Sequence, residues 1–155
     1  MPHEVERKFL VRSDAWRIGA VPVLYRQGYL HNEPGHIVRV RVVEQAAFLT
    51  VKGMNNGITR LEFEYPIPLA DANHMLDAFC QGEILEKHRH VVVHGGHTWE
   101  IDEFLGRNRG LIIAELELQE EHTPFIRPEW LGEEVSHDPR YYNNNLLTHP
   151  YSQGR

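Results

Sequence analysis

Charged side chains alternate with uncharged ones along several segments of this chain, and this alternation constrains the fold more than any other feature. The first segment, residues 3–10, reads HEVERKFL and carries Glu4, Glu6 and Lys8 at every second position. Successive side chains of a β-strand point to opposite faces, so a strand would place these three charges together on one face. The segment therefore predicts a strand that has one charged face.

The same period of two recurs down the chain. It predicts strands over residues 4–11, 27–31, 36–43, 48–52, 60–65, 86–93, 98–104 and 111–118. The acids of the alternating set are Glu4, Glu6, Glu62, Glu64, Glu100, Asp102, Glu115 and Glu117. Its bases are Lys8, Arg39, Arg41, Lys52, Arg60, Lys87 and Arg89. The opposite faces are dominated by aliphatic and aromatic residues.

Helix signals are fewer. Apolar residues recur every three or four positions from 69 to 80, which predicts an amphipathic helix that Gly82 ends. A short helix is expected near residues 13–16 and another from Thr123 to about Gly132. The polar residues after 143 are expected to be frayed.

Short connections between consecutive strands favour antiparallel pairing, and eight such strands can close into a barrel. The prediction is a mainly β, α+β protein: an eight-stranded antiparallel β-barrel tunnel with a few helices outside, as one domain over residues 1–155. The charged faces could be solvated outside. Their repeated E-x-E, R-x-R and K-x-R patterns instead favour an inverted barrel with a charged interior, stable if cations and anions interleave around a charged ligand.

Such an interior has a specific chemistry. Paired carboxylates repel each other and gain protons unless a divalent cation keeps them ionised. Ligands that are all oxygen select Mg²⁺ or Mn²⁺, and clustered Arg and Lys bind phosphate oxygens. The two features together fit one or two metal ions bound to a polyphosphate.

Composition excludes other classes of function. There are 16 basic residues against 22 acidic ones, and a net charge of −6 argues against a nucleic-acid partner. Cys80 is the only cysteine, which suits a reducing compartment. A charged N-terminus and short apolar runs predict a soluble cytoplasmic protein with no membrane partner. The histidines at 88, 90, 94 and 97 lack a zinc-site pattern.

HEVERKFL resembles the E-x-E-x-K signature of the CYTH domains, also called triphosphate tunnel metalloenzymes. The resemblance continues, in order, through RQGYL (26–30), RVRV (39–42), TVKG (50–53), RLEFEY (60–65), EKHR (86–89), EIDEF (100–104), AELEL (114–118) and RYYN (140–143). The length of the chain and the segment PEWLGEEV (128–135) are similar to the small stand-alone bacterial members. The fold of that family, a tunnel of eight antiparallel strands, agrees with the inverted barrel.

The resemblance implies a role for each matching residue. The metal-binding acids would be Glu4, Glu6, Glu62, Glu64, Asp102, Glu115 and Glu117. The residues that hold the triphosphate would be Lys8, Arg39, Arg41, Lys52, Arg60, Lys87 and Arg89. Catalytic roles would fall to Glu4 and Glu6 through the metal, and to Lys87, which would stabilise the leaving phosphate or act as a general acid.

The expected reaction is metal-dependent hydrolysis of inorganic triphosphate to pyrophosphate and phosphate by a monomer or homodimer. Three alternatives remain open. A class IV adenylate cyclase shares the fold, although the chain shows no added element for adenine and ribose. Thiamine or nucleoside triphosphatase activity is the second. The third is a polyphosphate- or nucleotide-binding module without turnover, against which both E-x-E pairs argue.

Overall fold

The strands pair in the order that the alternation requires for a closed barrel. The computed structural model describes residues 3–80 and 84–153. Along these residues lie β1 (His3–Val11), β2 (Val23–Glu33), β3 (His36–Val43), β4 (Ala46–Asn56), β5 (Thr59–Pro66), α1 (Leu69–Phe79), β6 (Leu85–His94), β7 (His97–Phe104), β8 (Ile112–Glu117) and β9 (Leu131–Glu134). The eight predicted strands and the long helix are all present, and the short helix near residue 14 is a 3₁₀ turn over Ala15–Arg17.

β1 closes the barrel. The sheet runs β5-β4-β3-β2-β6-β7-β8-β1, and β1 pairs with both β8 and β5. All pairings are antiparallel, with Lys8 opposite Glu115 on one side of β1 and Glu4 opposite Arg60 on the other. The predicted eight-stranded antiparallel barrel is therefore confirmed. β9 is an additional strand outside the ring, paired with the C-terminal part of β1.

The apolar faces of the strands point away from the barrel axis, and parts of them pack under outer elements, while Val91 and Val93 of β6 stay exposed. Phe9, Trp99 and Trp130 form one buried cluster, in which the Trp99 ring lies 5.6 Å from that of Trp130. α1 covers another part of the wall and buries Leu76 with residues of β3. The charged faces consequently point inward, so the inverted arrangement is the one that forms.

The prediction of a helix from Thr123 to about Gly132 is wrong. Residues 123–130 contain no helix, and the segment continues into β9. Pro124 and Pro128 both lack a backbone N–H donor, which disfavours a helix there. Phe125 and Trp130 instead dock on the cluster around Phe9.

The frayed C-terminal tail is also wrong for the residues up to 153. Leu146 is fully buried against Leu85 and Phe104, and Leu147 is nearly so. The Asn108 amide donates a hydrogen bond to the carbonyl of Leu146. Two apolar side chains therefore anchor a segment whose composition is mostly polar. Gly82, the predicted helix stop, lies outside the described residues.

Candidate functional site

A central cavity of about 500 Å³ runs inside the barrel and is lined mainly by charged side chains. Its lining includes every predicted site residue except Asp102, which is fully buried behind it. The alternation of the strands produces this concentration, because each strand sends every second side chain inward. The charges are unevenly distributed. Carboxylates surround Glu117, whereas cations surround Arg41.

Glu117 lies at the acidic extreme. Within the described residues, no cation is in salt-bridge distance of its carboxylate. The wall around it removes part of its water, and Glu4, Glu6 and Glu62 repel its charge. Both effects raise the pKa of Glu117 to about 7, with Glu100 contributing in the same direction. A proton here does what a bound cation would do, so this group of carboxylates has the chemistry of a cation site.

Arg41 lies at the basic extreme. No carboxylate of the described residues is within salt-bridge distance of its guanidinium, and its buried Nε has no hydrogen-bond partner. Burial and the neighbouring cations Arg39 and Arg89 lower the pKa of Arg41 to about 10. Arg39 is better satisfied, because its Nη2 lies 3.6 Å from Glu64 Oε1 and donates to Thr50 Oγ1. This region has the chemistry of an anion site.

Other charged side chains of the cavity form interleaved ion pairs. Lys8 Nζ donates to Glu6 Oε1 at 3.0 Å and to Glu115 Oε2 at 3.1 Å. Lys52 Nζ donates to Glu4 Oε1 at 3.0 Å and also lies 3.4 Å from Glu62.

Burial alone would raise the pKa of Glu6, but the attraction of Lys8 and Lys52 and a hydrogen bond with Glu115 together outweigh it, and the pKa falls to about 2. Burial likewise disfavours the charged form of Lys8, yet Glu115 and Glu6 raise its pKa overall. These pairs make the charged interior compatible with folding.

Asp102 anchors a buried network on β6 and β7. Both of its oxygens accept hydrogen bonds from Arg89, at 2.8 and 2.9 Å, and Oδ2 lies 2.7 Å from Lys87 Nζ. Arg89 also donates to Glu100 at 3.2 Å. Burial lowers the pKa of Lys87 to about 7, since the repulsion of Arg89 adds to it and the attraction of Asp102 only partly opposes it.

The C-terminal segment contributes to the cavity lining through Tyr142, Asn143 and Asn144. Lys87 Nζ donates to Asn143 Oδ1 at 2.8 Å, which ties this segment to β6. Tyr141 is instead buried in the apolar cluster that contains Leu85 and Leu146. Of the two adjacent tyrosines, Tyr142 therefore lines the cavity and Tyr141 anchors the C-terminal segment.

Asn143 and Glu100 were within matched motifs but were not among the predicted site residues, and Tyr25 lay outside every predicted element. Tyr25 carries no charge, so an analysis that selected alternating charges passed over it.

The histidines at 88, 90, 94 and 97 do not line the cavity. His90 packs edge-on against Trp16, with the ring centres 4.8 Å apart, and faces away from the cavity. Over residues 3–80 and 84–153, no three His, Cys, Asp or Glu side chains already stand close enough to hold a metal ion. The donors around Glu117 are nevertheless all carboxylate oxygens, a set that suits a hard divalent cation.

No helix in the described part of the chain is long and apolar enough to cross a membrane.

Comparisons with known proteins find relatives along nearly the whole chain. The family model described as the CYTH domain matches residues 2–151. The inorganic triphosphatase of Acetivibrio thermocellus is 50% identical over 151 residues, covering 97% of each chain. That of Nitrosomonas europaea is 36% identical, covering 92% of this chain and 95% of its own. A crystal structure of an inorganic triphosphatase superposes with a TM-score of 0.65 at 33% identity, covering 95% of both chains. The charged barrel and these matches together make the chain a member of the CYTH domain family.

Proposed function

We propose that this chain hydrolyses inorganic triphosphate to pyrophosphate and phosphate and that it needs Mg²⁺ or Mn²⁺, as one or two ions. The observation that carries the proposal is the pair of uncompensated charges in one cavity. Glu117 lies among carboxylates, and Arg41 lies among cations. A metal-bound polyphosphate supplies both missing charges at once. Hydrolysis of a triphosphate is also the activity in the names of the two relatives.

The basic residues would hold the substrate. Arg39, Arg41 and Arg89 lie on adjacent parts of the wall, and Arg side chains bind phosphate oxygens by paired hydrogen bonds. Lys8, Lys52 and Arg60 lie nearer the carboxylates, so they would contact substrate oxygens next to the metal. Holding the three phosphates in line for attack by water accounts for a large part of such catalysis.

The acids would hold the metal. The proposed ligands are Glu4, Glu6, Glu62 and Glu117, with Glu64 and Glu115 available for a second ion or its waters. A bound divalent cation would neutralise phosphate charge and lower the pKa of a water molecule that attacks the terminal phosphorus. Asp102 is the predicted ligand least suited to this role in the metal-free state, because Arg89 and Lys87 occupy both of its oxygens. We therefore assign Asp102 the positioning of these two cations.

Lys87 would stabilise charge as the bond between phosphorus and the leaving pyrophosphate oxygen breaks. Its Nζ is held by Asp102 and Asn143, so its position is fixed before substrate arrives. A pKa of about 7 allows Lys87 either to carry the stabilising charge or to give a proton to the leaving oxygen.

We further propose a single domain over residues 1–155, a monomer or homodimer located in the cytoplasm, and no nucleic-acid or membrane partner. The cyclase, nucleotide or thiamine triphosphatase and non-catalytic alternatives are not favoured. The relatives that carry the sequence likeness are named inorganic triphosphatases.

The test is phosphate release by the purified protein from inorganic triphosphate, ATP, GTP and thiamine triphosphate, each with Mg²⁺, Mn²⁺ or EDTA. We expect rapid release from inorganic triphosphate that EDTA abolishes. Glu117→Gln should lose most of this activity. The matched control Glu133→Gln, which changes an exposed acid on β9, should keep it.

Other outcomes decide among the alternatives. Preferential hydrolysis of ATP, GTP or thiamine triphosphate would overturn the substrate. Cyclic AMP from ATP would identify a cyclase. Tight binding of triphosphate without release of phosphate would support the non-catalytic binding module. Equal activity of Glu117→Gln and Glu133→Gln would show that Glu117 is not part of the site.

A further inference from the structure

Tyr25 stands among the cations of the cavity. Its ring on β2 lines the cavity, and the centre of the ring lies 4.7 Å from Arg89 Cζ, 5.2 Å from Arg41 Cζ and 5.9 Å from Lys87 Nζ. In the barrel, Tyr25 sits directly opposite Lys87 of β6. One neutral side chain therefore contacts three cations that come from two strands.

We propose that Tyr25 is a positioning residue that holds Arg41 in place without neutralising it, beside Arg89 and Lys87, which Asp102 already pairs. The proposal rests on the proposed function, because the charge kept available is charge for the triphosphate. The face of an aromatic ring attracts cations within about 6 Å of its centre through its quadrupole. It does so without a net negative charge, so Arg41 stays available to an anion.

The rest of the cavity shows why this matters. Lys8 and Lys52 are held by carboxylates, which an arriving phosphate must compete with. Arg41 has no such carboxylate, and Tyr25 is the partner the structure gives it in the described residues. A carboxylate at position 25 would fix Arg41 equally well but would oppose the binding of an anion. A ring is the partner that fixes Arg41 and leaves the anion site open.

The sharpest test varies the charge distribution of the ring and leaves its shape nearly unchanged. Phenylalanine and its mono-, di- and trifluorinated forms would be introduced at position 25 of the full chain. Binding of inorganic triphosphate would be measured by calorimetry in EDTA, together with kcat and KM in metal. Each fluorine weakens the negative face of the ring, so we expect Kd to rise stepwise. Tyr25→Phe should bind within about threefold of wild type and Tyr25→Leu about tenfold more weakly.

The control is Tyr65→Leu, the same change at an exposed position on the outer face of β5. It should leave Kd unchanged. A flat fluorine series in a wild type that binds and hydrolyses triphosphate would overturn the role of Tyr25, and so would equal Kd values for the Phe and Leu variants. A wild type that neither binds nor hydrolyses triphosphate would overturn the proposed function, which is a separate result. If Tyr25→Leu fails to fold, the fluorine series alone decides.

Discussion

Glu117 shows how neighbouring charges in this barrel can destabilise the ionised form of a single residue. Its carboxylate faces other carboxylates and, within the described residues, no cation in salt-bridge distance. The folded chain therefore keeps a proton on Glu117 over a range of pH in which the unfolded chain has already lost it. The contribution of such a group to the free energy of unfolding changes with pH in the direction opposite to that of a carboxylate paired with a cation.

The sign of this dependence is testable. The pKa of Glu117 rises from 4.5 to about 7 on folding, so the folded state binds more protons between these values. The contribution of Glu117 to the free energy of unfolding should therefore fall as the pH rises from 4.5 to 7. Urea titrations in EDTA should show that the free energy of unfolding of wild type falls relative to that of Glu117→Gln over this range. Parallel pH profiles for the two proteins would contradict the raised pKa.

Asp102 provides a second prediction at the residue scale. Asp102→Asn would leave Lys87 and Arg89 buried with too little negative charge, so we expect a loss of about 3–5 kcal/mol in the free energy of unfolding. The control Asp14→Asn removes an exposed ion pair with Arg17 and should cost less than about 1 kcal/mol. Denaturant melts in EDTA would measure both, and similar small losses would show that the buried network contributes little.

At the scale of elements, the contact of α1 with β2 depends on one glycine. A Cβ at Gly28 would lie 2.7 Å from Cys80 Sγ and 2.9 Å from its Cβ, so the end of the helix packs directly on the strand backbone. Gly28→Ala should therefore lower the stability by about 1–3 kcal/mol through overpacking. Gly53→Ala is the matched control, because a Cβ there meets Leu61 at an ordinary 3.5 Å. Thermal melts should separate the two variants, and equal melting temperatures would contradict this close packing.

Elements with strict periodicity could be predicted from the sequence, and those fixed by distant contacts could not. β3 was predicted with the bounds it has, since Arg39 and Arg41 alternate without interruption. β9 was missed because its four residues pair with β1 more than a hundred positions away. The packed tail was missed for a similar reason. Leu146 is buried by Leu85 and Phe104, and no local pattern reveals that contact.

The site divides along the same line. Strand alternation was enough to bring Glu4, Lys8 and Glu115 into one cavity. It could not reveal which charges would be paired, because Asp102 and Glu117 look alike in sequence but differ in their neighbours. Alternating charges could not reveal the proposed role of Tyr25, because that residue is uncharged and only the folded barrel brings three basic side chains around its ring.

At the scale of the whole molecule, the metal-free barrel holds charges that its own residues leave uncompensated. Arg41→Gln should consequently raise the melting temperature of the metal-free protein, because it removes a half-buried cation without a carboxylate partner. The same variant should lose most of the stabilisation by triphosphate. A ligand at a hundred times its Kd adds about 2.7 kcal/mol to the wild type. Scanning calorimetry in EDTA, with and without triphosphate, tests both effects.

The control for that experiment is Arg140→Gln, an exposed arginine near the C-terminus that pairs with Asp138 outside the cavity. It should keep the full shift caused by triphosphate. A lower melting temperature of metal-free Arg41→Gln, combined with an undiminished shift, would show that Arg41 is compensated after all.

The closure of the barrel through β1 has a consequence for how the protein is made. β1 leaves the ribosome before the other strands, yet its partners are residues 59–61 of β5 and 113–117 of β8. The ring thus remains open until β8, which ends at Glu117, has been synthesised. During that time the nascent first strand carries Glu4, Glu6 and Lys8, charges that discourage pairing with other nascent chains. The residues proposed to bind the metal thereby also protect an unfinished molecule.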